Sequence, residues 1–157
     1  MTGRELFQRK LYAQAASCFE KAYRPQDRDV AIAYQKQKDA EKHSNPGRRR
    51  DAFKAAGEAF SLCGDQAGKD GRPHYMRAMQ CYIEAGEEDL AVRAHAKSID
   101  ETEAAQLLAR NGQFDEALAL IRPTKGLSRV TPEIANHIVE QVKVAWLKEG
   151  RYKFVLT

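Results

Sequence analysis

The sequence of 157 residues predicts an all-α protein, folded as a right-handed solenoid of about eight helices paired in antiparallel hairpins. Two observations support this fold class. Apolar residues recur at spacings of three and four, whereas alternation of apolar and polar residues never extends beyond a few positions. Turns of one design also recur, as in Glu84–Ala91 and Arg110–Ala117. A turn that recurs between helical segments is typical of a repeat protein.

Each of these turns places a glycine, Gly86 or Gly112, five residues before an alanine. Glycine ends a helix in the left-handed conformation at little steric cost, and alanine lets the next helix approach closely. Related turns are expected at Glu149–Val155 and at Arg9–Ala15, where Lys10 takes the place of the glycine. A large apolar side chain precedes each turn by four residues, at Leu6, Tyr82, Leu108 and Trp146.

The two ends of the chain both carry incomplete helical patterns. Gly3–Phe7 looks like the last turns of a helix, and Leu11–Tyr23 is expected to be its antiparallel partner. At the other end, Tyr152–Thr157 begins a helical pattern that stops after a few residues. We therefore expect the chain to be a segment of a larger protein, in which apolar faces at the cut ends make self-association plausible.

The second pair of helices is expected between Pro25 and Gly64. Pro25 interrupts the first pattern, and Asp27 or Asp29 is expected to cap a helix over roughly Val30–Lys42. The residues of its helical pattern are less regularly spaced than elsewhere, at Ala31, Tyr34, Lys38 and His43. A loop over His43–Gly47 follows, and the next helix is expected from Arg48 until Gly64 ends it.

The third pair follows a polar insert, Asp65–Arg72, which predicts a long mobile loop. Pro73 suits a first helical position. The helix from there to Ala85 is expected to direct four side chains inward, namely Tyr75, Met79, Tyr82 and Ile83. A short partner helix is expected over Leu90–Lys97.

The remaining helices are predicted from start and stop signals. Ser98–Glu101 matches a capping box ahead of a helix over Glu101–Asn111, whose inward residues are Ala104, Ala105, Leu107 and Leu108. Its partner is expected over Phe114–Arg122. After a linker at Thr124–Arg129, Thr131–Glu133 predicts the start of the longest helix. That helix carries an apolar stripe of Ile134, Ile138, Val142, Ala145 and Trp146.

These elements form a single helical-repeat domain over residues 1–157. The predicted repeats are 1–24 (partial), 27–64, 73–97, 100–122 and 131–157, the last comprising the long helix and a truncated repeat. Hydrophobic residues make up 43% of the chain and charged residues 31%, which argues against both disorder and a membrane span. Because no secretory signal is visible either, we expect an intracellular protein, cytoplasmic or nuclear, without a membrane partner.

Residue types that bind metals or perform nucleophilic chemistry are dispersed. The cysteines are widely spaced among helical apolar residues, which indicates buried thiols at Cys18, Cys63 and Cys81. The histidines show no metal-ligand spacing, at His43, His74, His95 and His137. The acidic runs Glu87–Asp89 and Asp100–Glu103 stand at predicted helix starts, where capping is preferred over acid–base catalysis. We expect no cofactor and no enzymatic activity in this segment.

Two resemblances extend this interpretation. In Leu11–Ala22, the residues Tyr12, Ala15, Phe19 and Ala22 fall where the tetratricopeptide motif has its aromatic and small residues, so the segment resembles the second helix of such a repeat. Gly112–Ala117 is similar. The repeat spacing is uneven, however, and the proline that usually closes each repeat is mostly missing, in contrast to that family.

The segment Ala78–Ala85, joined to a glycine turn, resembles the helical-repeat regions of very large fungal UvrD-like superfamily 1 helicases and related tetratricopeptide and ankyrin repeat proteins of animals. This resemblance implies an accessory region of a nucleic-acid motor. The motor itself would lie elsewhere in the parent protein, because the chain contains no Gly-x-x-x-x-Gly-Lys-Ser/Thr phosphate loop.

The preferred function is a non-catalytic protein-interaction or scaffold segment. Extended concave faces of solenoids suit the capture of a peptide or helix through several modest contacts, so we expect a protein partner, of unknown identity, in the groove. The predicted groove residues are Arg77, Gln80, Gln106 and Arg110. The residues at repeat-equivalent inward positions, such as Tyr82 and Trp146, are instead expected in the core.

The alternative hypothesis is a nucleic-acid-binding adjunct. Its predicted phosphate contacts are the basic cluster Arg48, Arg49, Arg50 and Lys54, in a chain of net charge +4. Adjacent arginines at a helix start are unfavourable to the helix dipole, so an acidic partner would relieve them. Against this, Asp51 and Glu58 lie close by, and the aromatic residues are spaced for packing rather than for stacking on bases.

Overall fold

The structure is a computed structural model that describes residues 1–121 and 132–148, without the side chains of residues 145–147. The chain divides into two compact units, Met1–Ser98 and Ile99–Thr157, which we describe separately. All regular secondary structure within the described ranges is helical, which confirms the predicted all-α class. None of the described helices combines the length and the apolar character that a membrane span requires.

The first unit contains six α-helices: α1 (Gly3–Gln8), α2 (Tyr12–Lys21), α3 (Pro25–Lys42), α4 (Pro46–Ala67), α5 (Arg72–Glu84) and α6 (Glu88–Ser98). A 3₁₀ turn at Gly68–Asp70 joins α4 to α5. Each helix packs extensively against the next one in the chain. Because the connections are short, consecutive helices run antiparallel.

The second unit contains α7 (Glu101–Arg110), α8 (Phe114–Ile121) and α9 (Pro132–Lys148) among its described residues. Helices α7 and α8 pack against each other, and α9 contacts both. Apolar side chains from all three helices are buried, including Leu108, Ala117, Ile138 and Val142. The predicted linker at Thr124–Arg129, Thr131, the turn at Glu149–Val155 and the end segment Tyr152–Thr157 lie outside the described residues.

Four helix ends in the chain close with the same turn. The residue after the C-cap adopts a left-handed backbone, with φ of 61° at Lys10, 55° at Tyr23, 75° at Gly86 and 79° at Gly112. At each end, the amide of this residue donates to the carbonyl three residues earlier, and the following amide donates to the carbonyl five residues earlier. This pair of bonds is the Schellman motif. Lys10 therefore occupies the place of the glycine, as predicted.

A large side chain four residues before each of these turns is buried, at Leu6, Phe19, Tyr82 and Leu108. The positions of Leu6, Tyr82 and Leu108 confirm the sequence prediction, whereas the side chain of Trp146 lies outside the described part. The pattern at Phe19 was missed because Tyr23, and not a glycine, forms the turn. Each turn therefore couples a reversal of the chain to a fixed anchor in the core.

Helix α3 starts earlier than predicted. It begins at Pro25, and neither Asp27 nor Asp29 caps it through its side chain. A proline at the first helical position loses no hydrogen bond, because the amide there has no partner within the helix. Asp27 lies in the first turn and pairs with Arg24 at 2.7 Å. The proline that was predicted to interrupt the pattern is thus the first residue of the helix.

Helix α4 is longer than predicted at both ends. It starts at Pro46, where the Asn45 side chain accepts a hydrogen bond from the amide of Arg48 at 3.0 Å. It continues through Gly64 to Ala67, so most of the predicted mobile loop at Asp65–Arg72 is helical. Gly64 is buried inside the helix and does not end it.

Glycines of α4 receive the tyrosine rings of α5. A Cβ atom on Gly57 would lie 2.7 Å from the ring of Tyr82, and one on Gly64 would lie 2.6 Å from the ring of Tyr75. Both pairs are separated by two helical turns, so the rings and the glycines match along the two axes. The absence of a side chain at these glycines lets α5 approach the backbone of α4 closely.

Two further predictions were wrong. Ser98 is the last residue of α6, and its Oγ donates to the carbonyl of His95 at 2.7 Å. The cap of α7 is Asp100, whose side chain accepts from the amide of Glu103 at 3.0 Å, so the capping box at Ser98–Glu101 does not form. Ile83 is 60% exposed rather than inward. It follows Tyr82 directly in the chain, and its side chain lines an open groove instead of entering the core.

Replacing Gly57 or Gly64 with alanine is expected to destabilise the first unit by about 2 kcal/mol. The added methyl group would lie less than 3.0 Å from a packed tyrosine ring. In the interior of an exposed helix, beyond its first turn, the same change stabilises by about 1 kcal/mol, so the sign of the effect reports the contact. Urea unfolding measures the difference.

The control for this prediction is Gly47→Ala, in the first turn of the same helix, where a Cβ atom would meet only the Asn45 Oδ1 atom at 3.3 Å. Its effect is expected to stay within about 0.5 kcal/mol. Unchanged or increased stability of Gly57→Ala and Gly64→Ala would contradict the close packing of α4 and α5.

The left-handed turns predict opposite effects at Tyr23 and Gly86. Tyr23→Gly is expected to stabilise the protein by about 0.5 kcal/mol, because relief of the left-handed strain exceeds the added backbone entropy of the unfolded chain. Little packing is lost, since Tyr23 is 92% exposed. Gly86→Ala is expected to cost about 1 kcal/mol, although a Cβ atom there would have no neighbour within 4 Å. Thermal unfolding measures the stability change of each variant relative to wild type. Changes of the same sign in both variants would contradict the prediction.

Candidate partner-binding groove

Helices α1, α3 and α5 share one face of the first unit. The ring of Phe7 in α1 lies 5.0 Å from that of Tyr34 in α3. The guanidinium of Arg77 in α5 lies 4.4 Å from the centre of the same Tyr34 ring. Arg77 also donates a hydrogen bond to Gln37 Oε1 in α3 at 3.3 Å. Side chains from alternate helices therefore meet over Tyr34.

Tyr34 is the centre of an aromatic cluster formed by Phe7, Tyr12, Tyr34 and Phe60. Its ring centre lies 5.2 Å from that of Tyr12 and 5.1 Å from that of Phe60. Phe7 also contacts Tyr12 at 5.1 Å in an edge-to-face arrangement. Such pairs contribute about 0.5–1.5 kcal/mol beyond the apolar area that they bury. Because Phe60 is fully buried, the cluster ties this face to the core.

Two cations lie over the rings of this cluster. Arg77 stacks on Tyr34, and the Lys38 ammonium lies 5.8 Å from the centre of the Tyr12 ring. Lys38 also donates to the carbonyl of Lys10 at 3.1 Å, at the turn between α1 and α2. Attraction to the ring faces holds both charges in place while they stay accessible to solvent.

The hydroxyl of Tyr12 remains protonated at neutral pH. Burial is the main cause that raises its pKa, and the nearby Tyr34 and Glu41 raise it further, while Arg77 lowers it. A neutral phenol both donates and accepts hydrogen bonds. Beside two cations and a carboxylate, it is therefore a suitable contact for the polar groups of a bound chain.

An open groove of about 460 Å³ adjoins the cluster, between the C-terminal halves of α3 and α5 and the start of α4. It is lined by Gln37, Glu41, Arg49, Phe53, Gln80, Ile83 and Glu84. The exposed side chain of Ile83 is part of this lining. The groove thus combines apolar surface with amides and charges of both signs, a composition that suits a protein segment.

Two of the four predicted groove residues lie at this site. Arg77 packs on Tyr34, and Gln80 lines the groove. Gln106 and Arg110 lie on α7 in the second unit, where Gln106 is half-buried. Arg110 lines a separate cavity of about 490 Å³, together with residues of α8 and α9. The predicted set is therefore divided between the two units.

Sequence reasoning missed the contribution of α3. Tyr34 and Lys38 were noted only as irregularly spaced residues of a helical pattern, yet they supply the ring under Arg77 and the second cation. The available signal was their spacing of one helical turn, together with Gln37 and Glu41 on the same face. The pairing of Tyr34 with Phe7 and Arg77 depends on tertiary contacts that no local pattern reveals.

The predicted phosphate-binding residues are not equivalent in the structure. Arg49 pairs with Glu84 at 3.7 Å, stacks on Phe53 at 4.8 Å and donates to the carbonyl of Glu41 at 3.0 Å. Lys54 pairs with Glu87 at 3.3 Å. Arg48 and Arg50 are exposed, and neither forms an ion pair among the described residues. Half of the cluster therefore bridges α4 to the end of α5 and the turn that follows it.

The cysteines behave mainly as small apolar residues. Cys63 and Cys81 are buried, as predicted, and Cys18 is half-buried. Burial raises the pKa of Cys63 to about 11 and that of Cys81 to about 12, so both thiols are protonated at neutral pH. A protonated, buried thiol is a poor nucleophile. Within residues 1–121 and 132–148, no three His, Cys, Asp or Glu side chains form a group that could hold a metal ion.

The acidic runs stand at helix starts, as predicted. Glu88 and Asp89 lie in the first turn of α6, and Asp100 caps α7. Carboxylates in these places stabilise the unpaired amides of the helix. These acidic residues therefore have a structural role at the helix starts.

No family model, curated protein or solved structure matches this chain.

His74 gives the first unit a predicted pH dependence. Burial, followed by the charge of Arg77, lowers its pKa from the ordinary value of 6.5. The unfolded chain therefore binds the proton more tightly, so the contribution of this group is present above pH 6.5 and is lost as the pH falls toward the lower, folded-state pKa. His74→Gln is expected to reduce the loss of stability between pH 7 and pH 5, as measured by urea unfolding. His43→Gln, at an exposed site, is the control, and an equal reduction in both variants would contradict the prediction.

Proposed function

We propose that this chain is a non-catalytic interaction segment that binds a protein partner on the face formed by α1, α3 and α5. The observation that supports this proposal is the aromatic cluster under Arg77 and Lys38, which adjoins the open groove between α3 and α5. Rigid rings and anchored cations are the groups that contribute most to protein recognition. The polar groups here hold one another in place rather than forming a nucleophile and base pair.

The proposal includes a right-handed solenoid of tetratricopeptide-like hairpins. Support comes from the packing of consecutive helices in the first unit and from the Schellman turns that recur at four helix ends. In such an architecture, the first helix of each hairpin lines a concave face. The resemblance to helicase-associated repeats remains a proposal, as do the intracellular location and the repeat boundaries.

The composition of the groove suggests the partner's form. Its apolar contacts, Phe53 and Ile83, lie beside the amides of Gln37 and Gln80. A short helix or an extended peptide presents both apolar and polar side chains to such a groove. Many modest contacts offset the conformational entropy that the segment loses on binding. We therefore propose a peptide or helix of a partner protein as the occupant.

Selection of peptides from a random displayed library tests this function. Peptides that bind the wild-type chain are expected to lose at least about tenfold in affinity with Arg77→Gln or Ile83→Ser, since central contacts typically cost more than 1 kcal/mol when removed. Titration by fluorescence anisotropy gives the affinities, and circular dichroism verifies that each variant folds.

The control variant is Leu62→Ser. Leu62 is 61% exposed on α4 and lies on the opposite side of that helix from the groove residue Phe53. Its affinity for the same peptides is expected to remain within about twofold of wild type. If no peptide is selected, or if all three variants bind equally well, the groove is not a peptide site.

A further inference from the structure

The turns at one end of the first unit lie in a row. Lys38 of α3 contacts the carbonyl of Lys10, which brings the turn between α1 and α2 beside the end of α3. The side chain of Arg49 contacts the carbonyl of Glu41, which fixes the start of α4 at the same place. The pair of Lys54 with Glu87 adds the turn between α5 and α6. Three successive hairpin turns therefore share one edge of the unit.

Charge changes along this edge. The first two turns expose basic side chains, which we term the basic edge: Arg9, Lys10, Lys42, His43, Arg48 and Arg50. The third turn is acidic, and its residues Glu84 and Glu87 pair with Arg49 and Lys54. Arg49 and Lys54 are thus engaged in ion pairs between helical segments, and we do not include them in the basic edge. Arg9 and Lys10, distant in sequence from the arginine cluster, join it through the fold.

Most of the positive charge on the basic edge is available to a partner. Lys42 approaches Asp39 at 4.0 Å and is partly neutralised, and Asp51 follows Arg50 in sequence. No ion pair within the described part of the chain involves Arg9, Lys10, Arg48 or Arg50. These four exposed cations carry the excess charge, and their side chains are long enough to reach a bound polyanion.

We propose that the basic edge binds the phosphate backbone of a nucleic acid, independently of the groove. Guanidinium groups match phosphate oxygens through paired hydrogen bonds. At the two basic turns, Leu11 is the one exposed large hydrophobic residue among those described, at 39% exposure, whereas the exposed Ile83 lines the groove. Protein interfaces depend on apolar and aromatic anchors, whereas phosphate binding requires mainly accessible cations. The composition of the edge therefore favours phosphate.

Titration with labelled single- and double-stranded DNA and RNA at ~50 and ~200 mM salt tests the proposal. Wild-type affinity is expected to fall steeply as salt rises. The triple variant R9Q/R48Q/R50Q is expected to bind at least about tenfold more weakly at the lower salt concentration and to show a salt slope reduced by about 2–3. Lys10 is left unchanged so that its left-handed turn is preserved.

The matched control is K21Q/K69Q/R72Q, which removes the same charge from exposed cations at the α2–α3 and α4–α5 junctions, the opposite end of the unit. It is expected to retain affinity within about twofold. Equal weakening of both triple variants would show that only net charge matters and would overturn the proposal. Absence of salt-dependent binding, or competition by polyglutamate as effective as that by nucleic acid, would also overturn it.

Discussion

The close approach of α5 to α4 is the contact on which the first unit depends. Tyr75 and Tyr82 occupy space that any side chain at Gly64 and Gly57 would fill. Once both rings are seated, the rotation of α5 about its axis is fixed. Arg77 then lies on the side of α5 that faces α3, where it reaches Tyr34. The packing of the two tyrosines against α4 thus determines where the charge of Arg77 lies.

Local sequence signals were sufficient to predict the helices and several of their ends. The turns at Gly86 and Gly112 were correctly located. The glycine indicates a left-handed backbone, and the large apolar residue four positions earlier indicates a buried side chain. Gly64 is also a glycine, but the reason that glycine is required there is different. It is needed because a ring from another helix occupies its side-chain position, and sequence spacing within α4 carries no information about that neighbour.

The site was predicted less completely because its residues act across helices. Arg77 and Gln80 were predicted from the face of one helix, and the structure places both beside the groove. Their partners on α3 were not, because the contact of Tyr34 with rings in α1 and α4 arises only after the hairpins pack. The arginine cluster was likewise treated as one group, although tertiary ion pairs occupy Arg49 and leave its two neighbours exposed.

Lys38 connects the two surfaces without making them one site. Its ammonium lies over the ring of Tyr12 and donates to the carbonyl of Lys10, at the left-handed turn. That carbonyl belongs to a helix end, where a nearby cation is favourable. Lys38 thus stabilises a turn whose backbone conformation is costly for a residue other than glycine. The same contact orders the aromatic face and holds the first basic turn against α3, so both surfaces depend on one folded arrangement while their charged groups remain separate.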